Sequence, residues 1–210
     1  MIRVLIADDH PMVREGLKKI LKEEPDIQVV CEAIDGKQIL EQVEEYKLNV
    51  AVIDLSMPRM NGLEVLKELR QKRPALPVLV LSMHPEERFA LRVLRAGAAG
   101  YLTKESAPED LVKAIRKAVQ GGKYITPTLA EKLAYDLEAK SMNPVHEALS
   151  DRELQVMCMI ASGKKVRKIS QELFLSINTV NTYRTRILEK MNMKSDTELT
   201  YYAMQNRLID

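Results

Sequence analysis

Four short apolar runs in the first half of the chain each end on a polar side chain suited to phosphate or metal chemistry. Residues 2–7 (IRVLIA) lead into Asp8 and Asp9, and residues 50–53 (VAVI) into Asp54. Residues 78–81 (VLVL) stop at Ser82, and residues 100–102 lead through Thr103 to Lys104. Runs of this length, rich in Val, Ile and Leu and without alternation, predict strands buried on both faces of a parallel sheet. A further strand is predicted over 27–33, and helical patterns fill 11–23, 36–46, 62–71, 85–96 and 108–120. Five strand–helix units predict a doubly wound α/β domain with flavodoxin-like strand order. Gly121 and Gly122 end its last helix. Ligands bind such sheets at the carboxyl ends of the strands. Folding therefore gathers three carboxylates, a hydroxyl and an ammonium at one edge.

The pattern changes after residue 121. Residues 122–148 read as a linker with its own helix at 128–139, followed by a polar piece containing Asn143-Pro144. Residues 149–210 are helical throughout. Ser150-Asp151-Arg152-Glu153 has the spacing of a capping box, in which the Ser hydroxyl and the Glu carboxylate each satisfy the other's backbone amide. That helix ends at Ser162-Gly163, a second is predicted over 166–173, and Ser176 caps a third over 177–191. Ser195 caps a fourth that ends near Asn206. The expected organisation is an α/β domain over 1–121, a linker over 122–148 and an all-α domain over 149–210.

Composition adds bounds. The chain of 210 residues is 46% hydrophobic and 30% charged, which suits a core-forming protein. No apolar run approaches the roughly 20 residues of a membrane span, and the chain starts directly on a strand without a signal-peptide pattern. Cys31 and Cys158 lie far apart, outside any metal-ligand spacing. Buried, reduced thiols in a cytoplasmic protein without a membrane partner are expected. The net charge of +2 is uneven: residues 149–210 hold ten Lys and Arg against seven Asp and Glu. Lys164-Lys165-Val166-Arg167-Lys168 concentrates four of those cations. A run like this is ordinary on a solvated surface, so its placement decides its meaning.

Three carboxylates around one point repel each other unless a cation intervenes. Oxygen ligation with open positions suits Mg²⁺, which also binds phosphate oxygens. Lys104 adds charge for a phosphoryl group and Ser82 a hydrogen bond. Asp54, alone at the end of its strand, is the candidate nucleophile, because a carboxylate can form an acyl phosphate. Each residue has an ordinary alternative: Asp8 or Asp9 as a helix cap, Lys104 as a surface charge. Their joint placement at successive strand ends favours a site. His10 reads as the start of the first helix, with Pro11 near its first position, rather than as a metal ligand.

The segments ADDHPMVREGLKKIL, VAVIDLSMPRMNGLEVLKEL, VLVLSMH and AGAAGYLTK resemble the receiver domain of two-component response regulators. The resemblance implies that Asp54 accepts a phosphoryl group from a sensor histidine kinase. It implies Mg²⁺ held by Asp9, Asp54 and the backbone carbonyl of Ser56, with Asp8 acting through water. Lys104 would pair with the phosphoryl oxygens, and Ser82 and Tyr101 match the switch pair. Pro58 and Gly62 match the loop after the acceptor. Many receivers follow the Lys with Pro; this chain has Glu105.

In the third C-terminal helix, Val180, Ile187 and Met191 make an apolar stripe. Asn178, Asn181, Thr182 and Thr185 share another face, without an acid until Glu189. Asn can bond bidentately to adenine, and Thr can meet a base edge or a thymine methyl. Arg184 and Arg186 flank that face and suit phosphate. Periodicity alone leaves a solvated helix face equally open. Residues 149–209 resemble a LuxR-type helix-turn-helix output domain, and joined to a receiver they resemble the NarL/FixJ family. TVNTYRTRI is similar to the GacA and BvgA branch. Where many members carry Lys and His after the Thr-Val pair, this chain has Asn181 and Tyr183.

The resemblance implies binding to double-stranded promoter DNA, though these departures carry over no base-by-base code. The helix faces and cations then make Lys164, Lys165, Lys168, Asn178, Thr179, Asn181, Thr182, Arg184, Thr185 and Arg186 the expected contacts. The resemblance also implies a homodimer when phosphorylated, paired through the last helix, on which Leu199, Tyr202, Ala203 and Asn206 share one face; the alternative is that Leu199 and Tyr202 belong to the core of the domain. A regulator rather than an enzyme is expected. A phosphatase with an Asp nucleophile of the haloacid-dehalogenase type wants a second Asp two residues on, where this chain has Ser56.

Overall fold

The computed structural model describes residues 1–58, 60–138, 144–206, 208 and 209. They form two compact units, Met1–Ala134 and Tyr135–Asp210. The first alternates β1 (Ile2–Ala7), α1 (Pro11–Lys22), β2 (Ile27–Ala33), α2 (Gly36–Glu45), β3 (Val50–Asp54), α3 (Gly62–Lys72), β4 (Val78–Ser82), α4 (Glu86–Arg95), β5 (Gly100–Thr103) and α5 (Ala107–Val119). The five strands pair in parallel in the order β2-β1-β3-β4-β5. This is the predicted doubly wound sheet.

Its layering follows from strand alternation. Val4, Ile6, Val50, Val52, Leu79 and Leu81 join one core cluster with Leu17 and Leu21 of α1 and Leu111, Ala114 and Ile115 of α5. Leu5, Ala7, Ala51, Ile53 and Val80 alternate with them and are equally buried, so they take the opposite face. Strands covered on both faces need apolar residues at every position, which is why these runs do not alternate. Fully burying each Leu or Ile contributes about 1.5–3 kcal/mol.

The chain continues past α5 along the sheet edge. Tyr124 bridges Gly100 in parallel, and the Thr126 hydroxyl donates to the Glu86 carboxylate at 2.7 Å. Helix α6 (Pro127–Glu138) follows. Ala139 and residues 140–143, assigned from the sequence to the end of the linker helix and to its polar piece, lie outside the described residues.

The second unit holds a 3₁₀ turn (Val145–Ala148), α7 (Asp151–Ala161), α8 (Val166–Glu172), α9 (Ile177–Met191) and α10 (Asp196–Gln205). The Ser150–Glu153 capping box forms as predicted, and Ser176 and Ser195 cap α9 and α10. Val180, Ile187 and Met191 are buried. Helix α7 packs against α9 and α10, with α8 laid across α9. No helix among the described residues is long and apolar enough to cross a membrane. Both cysteines are buried and neither forms a disulfide, and burial pushes the Cys31 thiol up to about 11.

Candidate functional site

The carboxyl ends of β1, β3, β4 and β5 converge, at the point where the strand order reverses. Asp8 and Asp54 are almost fully buried there. Lys104 follows β5, and its amide donates to the Ser82 carbonyl at 2.8 Å, which carries the pairing one residue past the strand. The ammonium thereby lies 2.6 Å from Asp8 Oδ2 and 2.9 Å from Asp54 Oδ2. Lys104 bridges the two acids. The other Asp54 oxygen accepts the Ser56 amide at 3.1 Å.

Burial pushes the Asp54 carboxyl above its ordinary value of 3.8, with Lys104 opposing the rise and Asp8 adding to it. Burial works to depress the Lys104 ammonium, but Asp54 and Asp8 outweigh it and hold the pKa above 10.5. The cation is thus fixed between two carboxylates, where it offsets their repulsion.

Asp8, Asp9, His10 and Asp54 offer ligand atoms that all lie within 4.8 Å of one another. Asp8 Oδ2 and Asp9 Oδ1 are buried oxygens that each face one charged or titratable nitrogen, Lys104 at 2.6 Å and the His10 ring at 2.8 Å. Buried carboxylate oxygens with a lone pair to spare fit a hard cation. Asp8 Oδ1 accepts the His10 amide at 2.8 Å. Pro11 then opens α1 as predicted, while the His10 ring is two-thirds exposed beside Asp9 at 2.8 Å.

Two further elements shape the pocket. Gly62, the first residue of α3, donates its amide to the Leu55 carbonyl at 3.0 Å, so the helix begins against the acceptor strand. Asn61 caps it in a box with Glu64, a feature the sequence reading did not single out. Ser82 is fully buried, and its hydroxyl accepts the His84 amide at 3.0 Å. Tyr101 is turned inward, 1% exposed, with its hydroxyl donating to the His84 carbonyl at 2.8 Å. Both switch candidates therefore grip the same loop after β4. The Lys104–Glu105 peptide is trans.

In the second unit α9 presents Asn178, Asn181, Thr182, Thr185 and Arg186 to solvent. Thr182 and Thr185 donate their hydroxyls back to the carbonyls of Asn178 and Asn181. Thr179 is half-buried and its hydroxyl shares the Ser176 cap at 2.8 Å, so it serves the helix start. Arg184 is held by Asp196 at 2.7 Å. Lys164 and Lys168 lie 2.6 and 3.7 Å from Glu172, and Lys165 stands exposed before α8. Arg152 and Glu153 anchor this surface from below. Arg152 donates to the Leu173 carbonyl at the end of α8, and Glu153 pairs with Lys190 of α9 at 2.6 Å.

The residues expected to pair subunits through α10 divide by burial. Leu199 and Ala203 are fully buried and α10 packs on α7, because their spacing is that of an ordinary core stripe. Tyr202 is half-buried, its hydroxyl 2.8 Å from His146 Nδ1. Asn206 is exposed. The outward face of α10 instead carries Tyr201 and Met204, beside a cleft of about 420 Å³ lined by Met193, Thr197, Glu198, Tyr201, Tyr202 and Gln205.

A buried acid–lysine cluster on a 2-1-3-4-5 sheet, joined to a four-helix unit, defines a two-domain regulator. Residues 4–116 match the response regulator receiver domain, and residues 147–203 match the bacterial regulatory proteins of the luxR family. The chain belongs to the NarL/FixJ family of response regulators, which regulate transcription. It is 41% identical to the response regulator GacA of Pseudomonas protegens, covering 100% of this chain and 99% of that one. It is 39% identical to the response regulator UvrY of Escherichia coli, covering 99% and 96%. Among solved structures, RcsB of Salmonella typhimurium, described for its conformational dynamism in DNA interaction, superposes with a TM-score of 0.68 at 29% identity, covering 98% of each chain. A structure of two RcsB dimers bound to two parallel DNAs gives a TM-score of 0.62 at 28% identity, covering 97% and 98%.

Proposed function

We propose that Asp54 accepts a phosphoryl group from a sensor histidine kinase, and that the modified chain acts in the cytoplasm as a homodimer on double-stranded promoter DNA. The carrying observation is Lys104, fixed between Asp54 and Asp8 at the end of β3. In the transfer, a carboxylate oxygen of Asp54 attacks phosphorus and the P–N bond of the kinase phosphohistidine breaks, the electron pair leaving with the imidazole. Asp9, Asp54 and the Ser56 carbonyl would hold Mg²⁺, with Asp8 acting through water. When bound, that ion supplies charge neutralisation for the incoming phosphoryl oxygens. Lys104 exchanges its bond to Asp54 for one to a phosphoryl oxygen, and the Ser82 hydroxyl donates to another, which pulls on the loop that Tyr101 already grips. Met12, Ile34 and Met83, exposed at 88%, 45% and 70%, ring the same sheet edge and offer apolar surface for the kinase.

The receiver spans 1–121, the linker 122–148 and the output domain 149–210. Helix α9 enters the major groove with Asn178, Asn181, Thr182 and Thr185 toward the bases, and Lys165, Lys168 and Arg186 toward phosphates. The dimer forms through the outward face of α10 at Tyr201 and Met204 rather than through Leu199 and Ala203. Incubation with acetyl phosphate and Mg²⁺, followed by intact-mass measurement, tests the acceptor. One phosphoryl group per chain is expected, and none for Asp54→Ala or without the metal. A full label on Asp54→Ala refutes the assignment.

A further inference from the structure

The turn between α8 and α9 carries a side chain that the fold does not favour. Leu175 donates its amide to the Ser170 carbonyl at 2.9 Å, and Phe174 to the Gln171 carbonyl at 3.3 Å. These are the paired bonds of a helix end whose next residue is left-handed. Phe174 occupies that position at φ +52°. The other positive-φ residues described are Gly97, Gly121, Gly163 and Asn192, the types that tolerate such a backbone. Burial does not compensate, because the Phe174 ring is 66% exposed. Ile177, the first residue of α9, is 48% exposed beside the same turn. Nor is the turn loose: Leu173 is buried and its carbonyl is bonded by Arg152 at 2.8 Å. The fold holds an aromatic ring outward at a conformational cost.

What meets that ring follows from the surface around it. Residues 173–188 include no acidic side chain, and their charged groups are Arg184 and Arg186. The exposed Asn178, Asn181, Thr182 and Thr185 continue directly from Ile177 along α9. The nearest acids outside that stretch are paired, Glu172 with Lys164 and Lys168 and Asp196 with Arg184. A patch that is apolar at its tip with Arg186 at its flank complements DNA, whose major groove presents thymine methyls among acceptors and donors. A recognition helix approaches bases with its N-terminal residues, which here are Ile177 and the turn before it.

We propose that Phe174 and Ile177 form an apolar DNA contact, packing on a thymine methyl and adjoining deoxyribose at the entry of α9 into the groove. This rests on the DNA-binding reading above and adds a specificity element to it. The test uses the full chain, phosphorylated with acetyl phosphate, and duplexes that wild type selects from a random pool. Phe174→Gly suits the backbone, so its melting temperature should hold or rise while its dissociation constant for the selected duplex rises about three- to tenfold. Replacing thymidine by deoxyuridine at the contacted position should weaken wild type similarly and leave Phe174→Gly unchanged. Equal affinity of Phe174→Gly and wild type overturns the proposal, as does indifference of wild type to deoxyuridine throughout the site. Tighter DNA binding by unphosphorylated Phe174→Gly than by unphosphorylated wild type would assign the patch to the receiver and also overturn it. Asn181→Ala separates the two levels: if it weakens binding and Phe174→Gly does not, this contact alone fails. If wild type selects no duplex, the DNA reading fails with it.

Discussion

A methyl group at position 62 has no room. A β-carbon on Gly62 lies 2.3 Å from the Asp54 carbonyl oxygen, 2.9 Å from the Leu55 α-carbon and 3.0 Å from the Asp54 carbonyl carbon. All three are backbone atoms of the acceptor strand and its exit, so no side chain can swing aside. Restoring an ordinary contact requires the start of α3, or the end of β3, to move by roughly 1 Å. Overpacking of this kind costs about 1–3 kcal/mol. The larger effect is on chemistry, because Asp54 is aligned with Asp8 and Lys104 through the backbone that must yield, and a 1 Å misplacement of a reacting group costs about 10²-fold in rate. Gly62→Ala should therefore lower the melting temperature and slow Mg²⁺-dependent labelling by acetyl phosphate by one to two orders of magnitude, about 10- to 100-fold. Gly16→Ala is the control: its β-carbon meets nothing within 4 Å in α1, and it should gain about 0.5–1 kcal/mol with unchanged labelling. A Gly62→Ala chain that melts and labels like wild type would refute this account of the loop.

Three other outcomes are expected. In the second unit the Glu153 carboxylate is held below its ordinary 4.5; burial opposes this, but bonds from Lys190 and Ser150 prevail. Its contribution, about 1–2 kcal/mol given the exposed Lys190, is full above pH 4.5 and fades as pH falls through the lowered value. Denaturant titrations of wild type and Glu153→Gln should differ by that amount at pH 7 and converge in acid; a constant gap contradicts the pairing. Asn181→Ala should weaken the selected duplex by about 1–3 kcal/mol and spare unrelated DNA, whereas Lys165→Ala should weaken both and flatten the salt slope by about one unit. Anisotropy titrations at several salt concentrations separate these patterns. Met204→Glu should impair dimerisation of the phosphorylated chain, measured by analytical ultracentrifugation, without loss of melting temperature, because Met204 is 58% exposed. Unchanged dimerisation would remove α10 from the interface.

Strand positions were legible in the sequence because double burial demands unbroken apolar runs, which few other elements need. The acid site was legible for the same reason: Asp8, Asp54, Ser82 and Lys104 interrupt those runs where strands must end. The role of the α10 stripe was not legible, because it turns on packing that sequence does not carry. Leu199 and Ala203 fit a core stripe and a pairing stripe equally, and only the packing of α7 decides between them. The 3₁₀ turn at Val145–Ala148 left no periodic signal in four residues, and its His146–Tyr202 bond joins positions far apart in the chain. Phe174 was hidden because a left-handed turn announces itself through Gly or Asn, and this turn has neither. Arg184 and Thr179 stood on the right helix, yet their partners Asp196 and Ser176 engage them within the domain.

The central claim is that a phosphoryl group on Asp54 controls DNA binding by the output domain. It is tested most directly by titrating one selected duplex with wild type and Asp54→Ala, each with and without acetyl phosphate and Mg²⁺, and reading occupancy by footprinting. The account predicts a two-fold symmetric footprint whose half-saturation falls to lower protein concentration with phosphodonor for wild type, and an unmoved curve for Asp54→Ala. Equal curves for wild type with and without phosphodonor, or a donor response that survives in Asp54→Ala, would contradict it.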